Sequence, residues 1–77
     1  MENNERQAIL KALGKNIKRI REEKGMTQKQ LGESVDLEYQ QISRIERGGT
    51  NPNFLLLFEI SKGLNTSLLH LVDIKTL

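Results

Sequence analysis

Residues Gln28 to Arg47 read QKQLGESVDLEYQQISRIER. Leu31 and Val35 stand one helical turn apart, Leu37 follows a break at Asp36, and Ile42 and Ile45 resume helical spacing. Gly32, on the first of the two stripes, lacks a side chain and lets another backbone come close. Two short helices joined by a tight turn satisfy this pattern. It is a helix-turn-helix signature, in which the second helix is shaped to enter the major groove of DNA.

Upstream, Leu10, Leu13, Ile17 and Ile20 repeat at three and four residues and predict an amphipathic first helix from about Glu5 to Lys24. Gly25 stops it, since glycine takes the left-handed conformation without strain. Thr27 and Gln30 have the spacing of a capping box and open a second helix over Gln28 to Val35. The third runs from near Glu38 to Arg47, where Gly48-Gly49 ends it. Thr50-Asn51-Pro52 reads as loop. Asn53 caps a fourth helix from Phe54 to Lys62 or Leu64, and Thr66 or Ser67 caps a short fifth through Leu68, Leu71 and Val72. Asp73 to Leu77 has no decided structure. No stretch combines period-two alternation with turn chemistry at both ends, so no sheet is expected.

The chain has 77 residues, no cysteine and a net charge of +2. One domain of that size buries only about 60% of the surface its unfolded chain exposes. Without cysteine it has neither a disulfide nor a thiol-based zinc site. With no secretory signal and no apolar run long enough to span a bilayer, a cytoplasmic protein with no membrane partner is the expectation. The net charge is too small to argue for nucleic acid alone. Its distribution is uneven: eight of the twelve Lys and Arg residues (Arg6, Lys11, Lys15, Lys18, Arg19, Arg21, Lys24, Lys29) precede residue 30. An ordinary solvated helix face accounts for that equally well.

On the third helix, with residues about 100° apart around the axis, burying Ile42 and Ile45 turns Gln40, Ser43, Arg44 and Arg47 outward. Arginine donates two bonds to guanine O6 and N7, and glutamine pairs with adenine N6 and N7, so Gln40 and Arg44 suit base reading. Ser43 and Arg47 suit phosphate oxygens, which fix register. Tyr39 and Gln41 flank the face. The tyrosine ring has three possible roles: packing on a thymine methyl, bonding a phosphate, or covering core. Thr27, Gln28 and Lys29, at the start of the second helix, lie where flanking backbone would pass.

These residues resemble the Cro/CI type of helix-turn-helix domain, also called the xenobiotic-response-element family. The similarity runs through LGKNIKRIREEKGMTQKQLGESV, ISRIERG and NPNFLLLFEISKGLN. It implies an all-α, five-helix domain whose helices 2 and 3 form the helix-turn-helix, binding operator DNA as a dimer with the third helix in the major groove. It also implies that Tyr39, Gln40 and Arg44 read bases, with Gln41 and Ser43 adjacent, that Gln28 holds a phosphate, and that Arg21 and Glu46 form a structural ion pair. Two positions depart from the family pattern: Asp36 stands where the turn usually has glycine, and Gly32 where the helix usually has alanine. Aspartate tolerates the left-handed conformation, whereas Gly32 costs up to about 1 kcal/mol of helix propensity. Glu38 favours the helix dipole but repels phosphate, and a capping role is expected for it.

On the fourth helix, Phe54, Leu57, Ile60 and Leu64 are expected to face inward, leaving Leu55 and Phe58 outside. With Leu69 of the fifth helix they offer an apolar patch for a second copy of the chain. Alternatively the tail, through Ile74 and Leu77, folds back over them.

The function expected is that of a sequence-specific transcriptional regulator, similar to short phage repressors and restriction-modification controller proteins. It would bind a palindromic operator in double-stranded DNA as a homodimer. An antitoxin that also binds a toxin is a close variant, and a helical protein-interaction module is the reading from another class. No cofactor, metal or catalytic residue is expected, since the one histidine, His70, has no ligand cluster near it in sequence.

Overall fold

The computed structural model describes residues 1–75, and over them the chain is all-helical. Its elements are α1 (Asn3–Glu23), α2 (Gln28–Ser34), α3 (Tyr39–Glu46), α4 (Phe54–Gly63) and α5 (Leu68–Leu71). The five expected helices are present, with ends within about two residues of their sequence positions, the usual uncertainty of helix termini. No described helix is long and apolar enough to cross a membrane.

Local chemistry sets the boundaries. Thr27 Oγ1 accepts the Gln30 N–H at 3.0 Å while Gln30 Oε1 accepts the Thr27 N–H at 2.9 Å, a reciprocal box that opens α2. Asn53 Oδ1 caps α4 at the Leu56 N–H (2.8 Å), and Ser67 Oγ, rather than Thr66, caps α5 at the His70 N–H (3.0 Å). Glu38 holds the N-cap position of α3, where Gln41 Oε1 accepts its backbone N–H at 2.9 Å.

Each of the first four helices is followed by a left-handed residue: Gly25 (φ 71°), Asp36 (φ 59°), Gly48 (φ 77°) and Asn65 (φ 54°). This twist turns the next N–H back onto a carbonyl of the last turn. Met26 bonds Arg21 (3.1 Å), Leu37 bonds Gly32 (2.8 Å), Gly49 bonds Arg44 (2.9 Å) and Thr66 bonds Ser61 (2.9 Å). Asp36 thus performs the turn usually given to glycine. Gly32 also has a local reason, since a β-carbon there would lie 2.5 Å from the Leu37 carbonyl oxygen.

The core joins Leu13, Ile17 and Ile20 of α1 to Leu31 and Val35, Ile42 and Ile45, Ile60 and Leu64, and Leu71. α1 lies against α3 and α5, and α2 against α3 and α4. Gly14 makes the first of these approaches possible: a β-carbon would meet the carbonyl oxygens of Glu46 and, at 2.6 Å, Ile45. Leu10, one of the four residues of the α1 stripe, is only half-buried.

The inward stripe of α4 differs from the sequence expectation. Ile60 and Leu64 are buried and Leu57 is half-buried, but Phe54 is 70% exposed. The segment FLLLF is apolar on every side of the helix, so spacing alone does not orient it. Packing turns Leu56 toward the core in place of Phe54. Ile74 packs against the core and lines a depression with Ala12, Lys15, Asn16 and Arg19 of α1. It does not cover Leu55, Phe58 and Leu69, which stay exposed; Leu77 lies outside the described residues.

Candidate nucleic-acid interface

α3 presents two opposed faces. Ile42, Ile45 and Glu46 are buried, Ser43 is half-buried, and Tyr39, Gln40, Gln41, Arg44 and Arg47 are exposed. The polar residues divide further by what they touch. Ser43 Oγ accepts from Arg47 Nη1 at 2.9 Å, and the Gln41 side-chain oxygen serves the Glu38 N–H. Tyr39, Gln40 and Arg44 have no side-chain hydrogen bond to the described residues, so their donors and acceptors point to solvent. Gln40 and Arg44, four residues apart, lie one above the other on the same side.

The base of Arg44 is held by the chain that follows α3. Gly49 donates to the Arg44 carbonyl, and a β-carbon on Gly49 would come 3.1 Å from Arg44 Cγ, so the arginine stem lies along glycine backbone. The loop Thr50–Asn53 borders the same surface, lining a depression with Gln41 and Arg44. Gly48, at φ 77°, is the stop that the sequence predicts, and Gly49 is the residue that leaves room for the arginine stem.

At the start of α2, Lys29 and Thr27 are exposed and Gln28 is half-buried. Thr27 is occupied by the capping box. Gln28 Nε2 donates to Glu46 Oε1 at 3.0 Å, which uses one of its two amide hydrogens and leaves the other. Lys29 shares a shallow depression with Tyr39 and Gln41, so the start of α2 and the start of α3 border one surface.

Glu46 is the hub behind that surface. Its Oε2 accepts from Arg21 Nε at 2.6 Å and its Oε1 from Arg21 Nη2 at 3.1 Å, while Arg21 Nη1 caps the Met26 carbonyl at 2.7 Å. The hydrogen-bonded carboxylate holds the guanidinium above its ordinary pKa, against the opposing pull of burial. With Gln28 on the same carboxylate, the pair fixes α1, α2 and α3 relative to one another.

Large apolar side chains of α4 and α5 also lie in water. On α4 Leu55 is 63% exposed, Phe58 44% and Phe54 70%, and on α5 Leu69 is 81% exposed. Lys62 Nζ sits 5.8 Å from the centre of the Phe58 ring, a cation over an aromatic face. His70 is exposed, with its backbone rather than its ring in the α5 contacts.

A helix-turn-helix family model matches residues 17–71. The uncharacterized HTH-type transcriptional regulator y4dJ of Sinorhizobium fredii is 37% identical over 62 residues, covering 80% of each chain. Among solved structures, the restriction-modification controller protein C.Esp1396I is 42% identical with a TM-score of 0.73, over 77% of this chain and 78% of its own. The clp gene regulator ClgR of C. glutamicum matches with a TM-score of 0.80 at 26% identity, over 83% of both chains. The controller protein C.AhdI of Aeromonas hydrophila, at 22% identity and a TM-score of 0.78, shares the fold over 80% of this chain and 94% of its own.

Proposed function

The chain belongs to the helix-turn-helix family of the Cro/CI type, a family of DNA-binding transcriptional regulators, and from that premise we propose that it binds a palindromic operator as a homodimer, with α3 in the major groove. The observation that carries this reading is the outward row of Tyr39, Gln40 and Arg44, whose side-chain hydrogen-bonding groups have no partner among the described residues. A bidentate guanidinium and a primary amide one turn apart match guanine and adenine edges on neighbouring base pairs. Gln28, Lys29, Ser43 and Arg47 flank them and meet phosphates, with Thr27 and Gln41 supporting from the two caps.

The dimer is supported by Phe54, Leu55, Phe58 and Leu69, a row of large apolar side chains that a monomer leaves in water. Pairing this row with itself about a two-fold axis would bury it and set two copies of α3 in successive major grooves, about 34 Å apart.

Selection of bound duplexes from a random pool tests the whole reading. The expected product is a palindrome whose half-sites are centred about one helical turn apart. Recovery of a single asymmetric site would reject the dimer. Recovery of no consensus, with binding lost to unlabelled random DNA, would reject sequence reading.

A further inference from the structure

Asn16 is a buried amide within the apolar stripe of α1, three residues after Leu13 and four before Ile20. Leucine or valine would fill such a place at no polar cost. An unpaired amide there is expensive, so its bonding must be complete. Here both amide hydrogens and the oxygen are used: Nδ2 donates to the carbonyls of His70 at 2.9 Å and Leu71 at 2.7 Å, and Oδ1 accepts from Arg19 Nη2 at 2.6 Å. Arg19 is itself steadied by Glu23 at 2.9 Å. The guanidinium fixes which way round the amide sits, because a reversed amide would set its N–H groups against those of Arg19.

The two carbonyls that Asn16 holds end α5, a helix of four residues. So short a helix does not hold itself in water, since its nucleation cost is never recovered. Its orientation comes from its anchors: the Ser67 cap at one end, Leu68 and the buried Leu71 packed on the core beside α4, and Asn16 at the other end. Leu69 lies between those anchors and projects into solvent.

We propose that Asn16, locked by Arg19, is a positioning residue for the dimer surface: it sets the angle of α5 and so the presentation of Leu69 to a second copy of the chain. This inference rests on the homodimer reading above. It makes α1 a determinant of assembly although Asn16 itself is buried away from the partner.

The test is the dimer dissociation constant of the full chain by sedimentation equilibrium, with the thermal midpoint measured in parallel. Asn16→Ala should raise the constant at least about tenfold with helical content retained. Arg19→Ala, which frees the amide to turn, should raise it by a smaller factor, and it decides the matter alone if Asn16→Ala fails to fold. Ile42→Val, a core truncation in α3, which packs on α1 and α2, should lower the midpoint without moving the constant. An unchanged constant in Asn16→Ala, or in Arg19→Ala where that variant alone folds, overturns the proposal; so does an equal rise in Ile42→Val, which would reduce Asn16 to general stability. If the wild-type chain dimerises and Leu55→Glu breaks the dimer while Asn16→Ala does not, only this inference falls. A wild-type chain that stays monomeric removes the dimer reading and this inference together.

Discussion

Gln28 Nε2 and Glu46 Oε1 are 3.0 Å apart, joining the first residue of α2 to the last residue of α3. The same carboxylate carries Arg21 of α1, so three helices meet at one anionic group. The residue proposed to hold a phosphate is thereby tied to the group that sets the angle between the two helices of the DNA-binding unit.

Removing the hub should show its cost. Glu46→Ala leaves the Arg21 guanidinium buried without its counter-charge, and urea denaturation should show a loss of roughly 3–5 kcal/mol. Such a loss is comparable to the whole stability of many domains this small. Arg21→Met combined with Glu46→Leu should recover most of it, because both charges are then gone. Equal losses in the single and double variants would mean that the unpaired charge is not the cause.

Arg44→Ala should weaken binding to the selected operator by about 1–3 kcal/mol and relax preference at one base position. Lys29→Ala should weaken all sequences alike and reduce the salt dependence by about one counterion. Titrations of specific and scrambled duplexes at several salt concentrations separate the two. A uniform loss for Arg44→Ala would reassign it to the DNA backbone.

Phe54→Ser distinguishes a core residue from an assembly residue. With the ring mostly in water, the substitution should leave monomer stability within about 0.5 kcal/mol, the usual range for surface positions. The dimer should weaken. A loss of several kcal/mol at a concentration where the chain is monomeric would place Phe54 in the core.

Gly14→Ala should destabilise the fold despite a gain of about 1 kcal/mol in helix propensity. The added carbon meets backbone carbonyls of α3, which do not move aside as a flexible side chain would, and overpacking costs typically about 1–3 kcal/mol. A net fall in the thermal midpoint is expected. A rise would show that α1 and α3 can separate without penalty.

The parts of this molecule that depend on neighbours in sequence are legible in sequence. Thr27 with Gln30, Asn53, and the stops at Gly25 and Gly48 each act within one turn of the helix they bound, so spacing reveals them. Ile42 and Ile45 orient α3 because the rest of that helix is polar. The same reasoning does not fix α4, where Phe54, Leu55, Leu56, Leu57 and Phe58 are consecutive and only tertiary packing chooses the inward side. Gly14 and Asn16 escape for another reason. What they meet, the Glu46 carbonyl and the end of α5, is more than thirty residues away along the chain. A polar residue inside an otherwise apolar stripe was the visible trace of Asn16, and it marks a long-range bond without naming its partner.

The side chains of Tyr39, Gln40 and Arg44 owe nothing to the core, and those that hold α3 in place belong to Glu38, Gln41, Ile42, Ile45 and Glu46 instead. Under the proposed function, shape and address are therefore inherited separately. If these three side chains read bases as proposed, a lineage could replace them and acquire a different set of target genes with the body of the protein unaltered, and an engineer could do the same by exchanging three codons.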